Sequence, residues 1–209
     1  MRIAVVGGGA LGCSAALALA GRNHEVTLLE RGTLGSGSSA KAAGILSSFA
    51  WNDADYRLIA ETRGALGELI SLAMAAGERA AKGAWRSAPS LVVASAERTK
   101  LLDQLQERVE RNTEECERLG HREAAAAFPG ITFQPGDEVV VAQEDGVIEA
   151  GDFLTALRAR LAQEGVTVRE NAAVALADVR RSFDGVVVAG GSWTRGLLAT
   201  EGVRIPVQA

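Results

Sequence analysis

Apolar and polar positions along this chain follow two periods. Unbroken or alternating apolar runs predict strands over 3–6, 25–29, 90–94, 138–142 and 166–168. A short strand is expected at 173–177. The run Gly185 to Gly191 reads as a strand buried on both faces that ends in a glycine turn. Helical spacing governs the stretches between. Small residues over 13–20 predict a tightly packed helix. Leu58, Ile59, Ala65, Leu66, Leu69, Ile70 and Leu72 give the stretch 54–76 a broad apolar face. Asp53 or Asp55 is the expected cap of that helix, and Gly77 its end. A charged helix is predicted over 97–119 from Leu102, Leu105, Val109, Cys116 and Leu119, a spacing interrupted at Asn112. It is too short for a coiled coil, so it is expected to pack on its own domain. Asp152 caps or begins a helix running to Gln163, with Gly165 beyond its end. Turns are expected at 128–130 and 144–146, and a last short helix from Ser192.

Strands alternating with helices predict an α/β fold, a parallel sheet covered by helices on both faces. The first strand and helix meet at Gly7, Gly9 and Gly12, spaced G-x-G-x-x-G. That spacing recurs by chance. Here a strand precedes it and a helix follows, the context of a dinucleotide fingerprint. Gly7 permits the tight turn, Gly9 lets the backbone approach a pyrophosphate, and Gly12 lets the helix pack on the strand. The helix N-terminus offers N–H groups to the phosphates. Glu30 ends the second strand 21 residues beyond Gly9, where a carboxylate can accept bonds from ribose hydroxyls. An acid there disfavours a 2′-phosphate, and so NADP. The loop 32–44 is rich in Gly, Ser and Ala. It reads as a flexible linker, or as backbone N–H groups with the hydroxyls of Ser36, Ser38 and Ser39 converging on a phosphate or a flat ring.

Composition narrows the choice. Of 209 residues 47% are hydrophobic, 24 are glycine and 4% are aromatic, which suits close-packed α/β layers. A net charge of −4 without a basic cluster speaks against a nucleic-acid surface. No apolar run reaches membrane-spanning length, and the N-terminus lacks a secretory pattern, so a cytoplasmic protein is expected. Cys13 and Cys116 show no metal spacing or redox pair; Cys13 is expected to pack in the core and Cys116 to lie on the charged helix. His24 and His121 are isolated and read as surface residues.

Three blocks together resemble the FAD-dependent oxidoreductases of the D-amino acid oxidase superfamily. They are 5–12 with Glu30 and Arg31, the serine-rich stretch 35–46, and 186–193 ending in Trp193. The stretch 144–154 resembles the segment that returns the family's chain to its FAD domain. The resemblance implies an FAD domain in two parts, 1–80 and 145–209, around a partial α+β substrate domain at 81–144. It implies that Gly7, Gly9, Ala10, Leu11 and Gly12 line the pyrophosphate, and that Glu30, with Arg31 beside it, holds the ribose. Ser38, Ser39, Ala43, Gly44, Ile45 and Leu46 would run past the pyrophosphate, ribityl chain and flavin. Val174 would meet the adenine, and Ala189 and Gly190 would let the last strand pass close. Trp193 is either a core aromatic or a cofactor contact. Lys41 either stabilises negative charge on the reduced flavin or faces solvent. Family members continue well beyond Pro206 and Val207 into the half that carries the substrate carboxylate's arginine. The resemblance therefore implies the FAD-binding portion of an enzyme oxidising an amine or amino acid, completed by a second subunit or a C-terminal half. No catalytic side chain stands out. A non-catalytic FAD or ADP module, a truncated relic and an NAD-dependent dehydrogenase are the alternatives. The serine-rich loop and the late Ala-Gly-Gly block weigh against the last.

Overall fold

A computed structural model describes residues 1–49, 52–75, 77, 79–111 and 116–206. In chain order the elements are β1 (Arg2–Val6), α1 (Ala10–Ala20), β2 (Glu25–Leu29), β3 (Ile45–Leu46), α2 (Asp53–Ala75), β4 (Trp85–Ser87), β5 (Ser90–Ala94), α3 (Thr99–Arg111), β6 (Cys116–Gly120) and α4 (His121–Ala127). They continue as β7 (Glu138–Ala142), β8 (Gly146–Ile148), α5 (Ala150–Gln163), β9 (Thr167–Arg169), α6 (Leu176–Ser182), β10 (Gly185–Val188) and α7 (Thr194–Ala199). The chain forms two compact units.

The first unit comprises Met1–Ala43, Glu68–Ala84 and Glu149–Ala209. Its sheet has four parallel strands in the order β10-β1-β2-β9. Side chains alternate across it, as a period of two demands. Val5, Leu28 and Val187 pack with Cys13 and Ala16 of α1 and with Leu157 and Leu161 of α5. Ala4, Val6, Val186 and Val188 turn the other way, onto Leu176 and Val179 of α6 and Leu197 and Leu198 of α7. Both faces are covered, which is why these strands carry little polar sequence.

The second unit comprises Gly44–Gly67 and Trp85–Ile148. It holds two antiparallel sheets, β5-β7-β6 and β3-β8-β4. Along β7, Val139 and Val141 pack with Leu119 and Ala124, whereas Val140 packs with Leu102 of α3.

Three expectations change. The charged helix is described as far as Arg111, and Cys116 begins a strand instead of lying on that helix. Pairing with β7, Leu119 opposite Val139, overrides the helical spacing. Asn112, the expected interruption, lies outside the described residues. No strand forms over 173–177. Leu176 and Val179, three apart, instead bury one face of α6 under the sheet. At α2 the cap is Asn52: its Oδ1 accepts the Asp55 N–H at 3.1 Å, and its amide donates to the Asp55 carboxylate at 2.8 Å. The side chain of Asp53 and the expected last residue, Ala76, lie outside the described residues. Gly77 follows at φ +90°, as a helix-ending glycine should.

Among the described residues no helix is long and apolar enough to cross a membrane. None of their His, Cys, Asp and Glu side chains gather in threes that could hold a metal.

Candidate dinucleotide site

The site grows from the turn between β1 and α1. Gly7 sits at φ +113°, and a Cβ there would lie 2.3 Å from the Ala189 carbonyl oxygen. A side chain is excluded twice, by conformation and by space. Gly12 lies inside α1, where a Cβ would fall 1.8 Å from the Gly7 carbonyl oxygen. Its role is close packing of helix on turn. A Cβ on Gly9 would meet Ser39 Oγ at 3.1 Å. The glycines thus let β1, α1 and the end of β10 converge on one backbone surface.

Two side chains finish that surface. Glu30 accepts the Gly8 N–H at 2.7 Å through Oε2 and the Gly32 N–H at 2.8 Å through Oε1. These bonds fix the carboxylate at the tip of β2, and each oxygen keeps lone-pair capacity for a hydroxyl donor. Ser39 Oγ accepts the Ala10 N–H, the first of α1, at 3.0 Å. The hydroxyl can still donate its own proton to a ligand oxygen. Arg31 lays its guanidinium 3.8 Å from the centroid of the Trp193 ring. Cys13, below the turn, donates its S–H to the Gly8 carbonyl at 3.5 Å. Burial, with the charge of Glu30 adding to it, pushes this thiol up to about 12. It is a packing residue with no thiolate at neutral pH.

The glycine turn, Glu30, Arg31, Ser39 and Trp193 line a cavity of about 620 Å³ within the first unit, a size typical of small-molecule sites. Gly7, Gly9, Ala10, Leu11, Glu30, Arg31, Ser38, Ser39, Val174, Ala189, Gly190 and Trp193 all face it. Trp193 is 47% exposed, so it is not a core aromatic. Val174 lines the cavity from the loop before α6, without the strand expected of it. Gly12 lies behind the wall. Lys41 and Ala43 are exposed and do not line the cavity. Gly44, Ile45 and Leu46 belong to the second unit, where Ile45 pairs with Val147 and Leu46 with Gly146. Ile45 is 69% exposed there. Gly44 has φ +68°, and a Cβ would lie 2.0 Å from the Ile148 carbonyl oxygen.

An adenine dinucleotide fits this lining. The carboxylate suits ribose hydroxyls, the glycine backbone suits a diphosphate, and Leu29, Ala172, Ala173 and Val174 form an apolar wall for a planar base.

Sequence reasoning missed a buried polar cluster in the second unit. Asp145 is fully buried. It accepts the Ser48 N–H at 2.8 Å, the Ser48 hydroxyl at 2.6 Å, the Ser47 hydroxyl at 3.1 Å and the Arg63 guanidinium at 2.5 Å. The segment directly after β3 is thereby clamped to the start of β8. The Asp-Gly pair signalled a turn, and nothing nearby in sequence announces partners about 100 residues away.

The chain is similar to known proteins in sequence and in fold. A family profile described as FAD dependent oxidoreductase, the DAO family, matches residues 2–209. The 4-methylaminobutanoate oxidase (formaldehyde-forming) of Paenarthrobacter nicotinovorans is 31% identical over 233 aligned residues, 100% of this chain and 26% of that protein. Glycine oxidase of Geobacillus kaustophilus is 48% identical over 46 residues, 22% of this chain and 12% of that protein. The crystal structure of that glycine oxidase superposes with TM-score 0.78 at 25% identity, covering 99% of this chain and 60% of the other. L-proline dehydrogenase from P. horikoshii superposes at 0.77 and 19% identity, covering 99% and 57%. The chain thus spans somewhat more than half of each of these two solved structures. With the profile running from residue 2 to residue 209, the chain belongs to the DAO family of FAD-dependent oxidoreductases.

Proposed function

We propose that this chain is the FAD-binding portion of an oxidoreductase that oxidises the carbon–nitrogen bond of an amine or amino acid. One observation carries the reading: a single cavity gathers the glycine turn, Glu30, Ser38, Ser39 and the Ala189–Gly190 backbone. The relatives' names, a glycine oxidase and a 4-methylaminobutanoate oxidase, support the substrate class. When bound, FAD supplies the redox chemistry by accepting a hydride from the carbon beside nitrogen, and the resulting imine is hydrolysed by water. The chain's own residues bind and orient. Glu30 accepts from the adenosine ribose, with Arg31 beside it. The backbone N–H groups of Gly9 and Leu11, with Ser38 and Ser39, meet the diphosphate. Val174 contacts the adenine, and Ala189 and Gly190 allow the closest approach. Within the first unit we assign Lys41 and Ala43, which lie outside the cavity wall, to the flavin end. No side chain here is assigned proton transfer.

The remainder of the family fold, continuous with this chain or on a second polypeptide, supplies the substrate face. The same cavity, which binds and orients without an assigned proton-transfer group, also suits a second reading: a module that holds FAD or ADP without turnover. Titrating the purified chain with FAD, then adding small amino acids and N-methylated amines without oxygen, separates the two. Bound flavin that loses its oxidised absorbance supports the enzyme. Flavin that stays oxidised with every amine supports the module. A folded chain that binds no FAD refutes both.

A further inference from the structure

Among the described residues lining the cavity, the charged side chains are neighbours in sequence, Glu30 and Arg31. The Glu30 carboxylate is held by two backbone N–H groups. A diphosphate would bring negative charge to the same wall, and Arg31 is the cation of that lining that can answer it. An exposed arginine side chain is long and samples many rotamers, which weakens any bond it makes. Here the guanidinium is stacked on Trp193, 3.8 Å from the ring centroid. The indole also reaches the loop beyond: a Cβ on Gly37 would lie 3.7 Å from its Cζ3. One ring on the turn after β10 therefore stacks on Arg31 of the loop after β2 and lies beside Gly37, where a side chain would meet it. The ring is half in water, so filling the core is not its task.

We infer that Trp193 is a positioning residue. By stacking on Arg31 it holds the guanidinium at the cavity wall, and the pair makes the site prefer an adenine ligand with a diphosphate over one without. A stacked guanidinium keeps its N–H edge in the ring plane, open to two oxygens of one phosphate. Trp193 acts through Arg31. The inference rests on the dinucleotide reading and adds what selects the anion.

The test is the ratio of ADP to adenosine affinity, measured by calorimetry on the full chain. Wild type favours ADP. Arg31→Ala lowers the ratio about tenfold, the scale of one charge-assisted hydrogen bond. Trp193→Leu lowers it by a similar factor, and the double variant falls no further than either single. Trp193→Phe, which keeps an aromatic face, retains most of the ratio. A wild-type ratio in folded Trp193→Leu overturns the inference, as does equal loss of both ligands or full additivity with Arg31→Ala. Should Trp193→Leu not fold, Arg31→Lys decides: an ammonium cannot bond both oxygens, so a wild-type ratio there overturns the inference as well. If wild type binds adenosine and ADP equally, the positioning role fails alone. If it binds neither, the dinucleotide reading fails with it.

Discussion

Gly12→Ala adds one methyl group at the tightest contact of the site. The new Cβ would sit 1.8 Å from the Gly7 carbonyl oxygen and 3.4 Å from the Ala189 Cβ. Carbon–oxygen contacts close no nearer than about 3.3 Å, so α1 must retreat from the turn by roughly 1.5 Å. Alanine is the better helix former, which offsets the strain by about 1 kcal/mol. Overpacking costs about 1–3 kcal/mol, and each kcal/mol lowers the melting temperature of a chain this size by about 2–4 °C. The clash is with backbone, which cannot swing aside, so the melting temperature should fall by several degrees. Binding is the sensitive readout, because the retreat carries the N–H groups at the start of α1 away from the diphosphate. A hydrogen bond to a charged group is worth about 1.5–3 kcal/mol, so losing one should lower ADP affinity by about tenfold or more. Gly21→Ala is the control, since its Cβ would meet the Leu17 carbonyl oxygen at an ordinary 3.5 Å. Calorimetric titration of both variants with ADP, beside their melting curves, decides. Wild-type ADP affinity in Gly12→Ala refutes the claim that the helix start forms the anion surface.

Asp145→Ala removes the shared acceptor of Ser47, Ser48 and Arg63 from a fully buried position. Breaking a buried ion pair from one side costs about 3–5 kcal/mol, so thermal melting should drop sharply and amide exchange at Ser48 should rise. Wild-type protection at Ser48 would contradict the clamp. Cys13 titrates near 9.0 when unfolded and near 12 when folded. Its contribution is complete below pH 9.0 and is lost as pH rises toward 12. Melting temperatures across that range should fall faster for wild type than for Cys13→Ala; parallel curves would refute this. Hydrogen bonds from Arg158 and from the Leu34 N–H hold Glu170 below its ordinary 4.5. That stabilisation is present above pH 4.5 and is lost as pH falls through the lowered value. Glu170→Gln should therefore melt earlier than wild type at neutral pH, with the gap closing in acid.

Which features were readable depends on how local their causes are. β1, β2 and β10 announce themselves because both faces are buried, leaving Val, Leu and Ile as nearly the whole signal. The glycine turn is equally local: its spacing is its geometry. Residues 116–120 were hidden, because Cys116 and Leu119 continue a helical spacing until β7 pairs with them. Leu176 to Ser182 was hidden in a different way, since a seven-residue helix takes its stability from Val186 and Val188, not from its own sequence. Side chains joined across long sequence gaps left no mark. Asp145 with Ser48, and Arg31 with Trp193, each needed the fold to bring them together.

Amide chemical-shift mapping of the chain titrated with ADP tests the central claim most directly. Saturable shifts at Gly8 to Gly12, at Arg31 and Gly32, and at Gly190 and Gly191 are the result this account predicts. A folded chain whose amides stay still there, or shift only elsewhere, would contradict it.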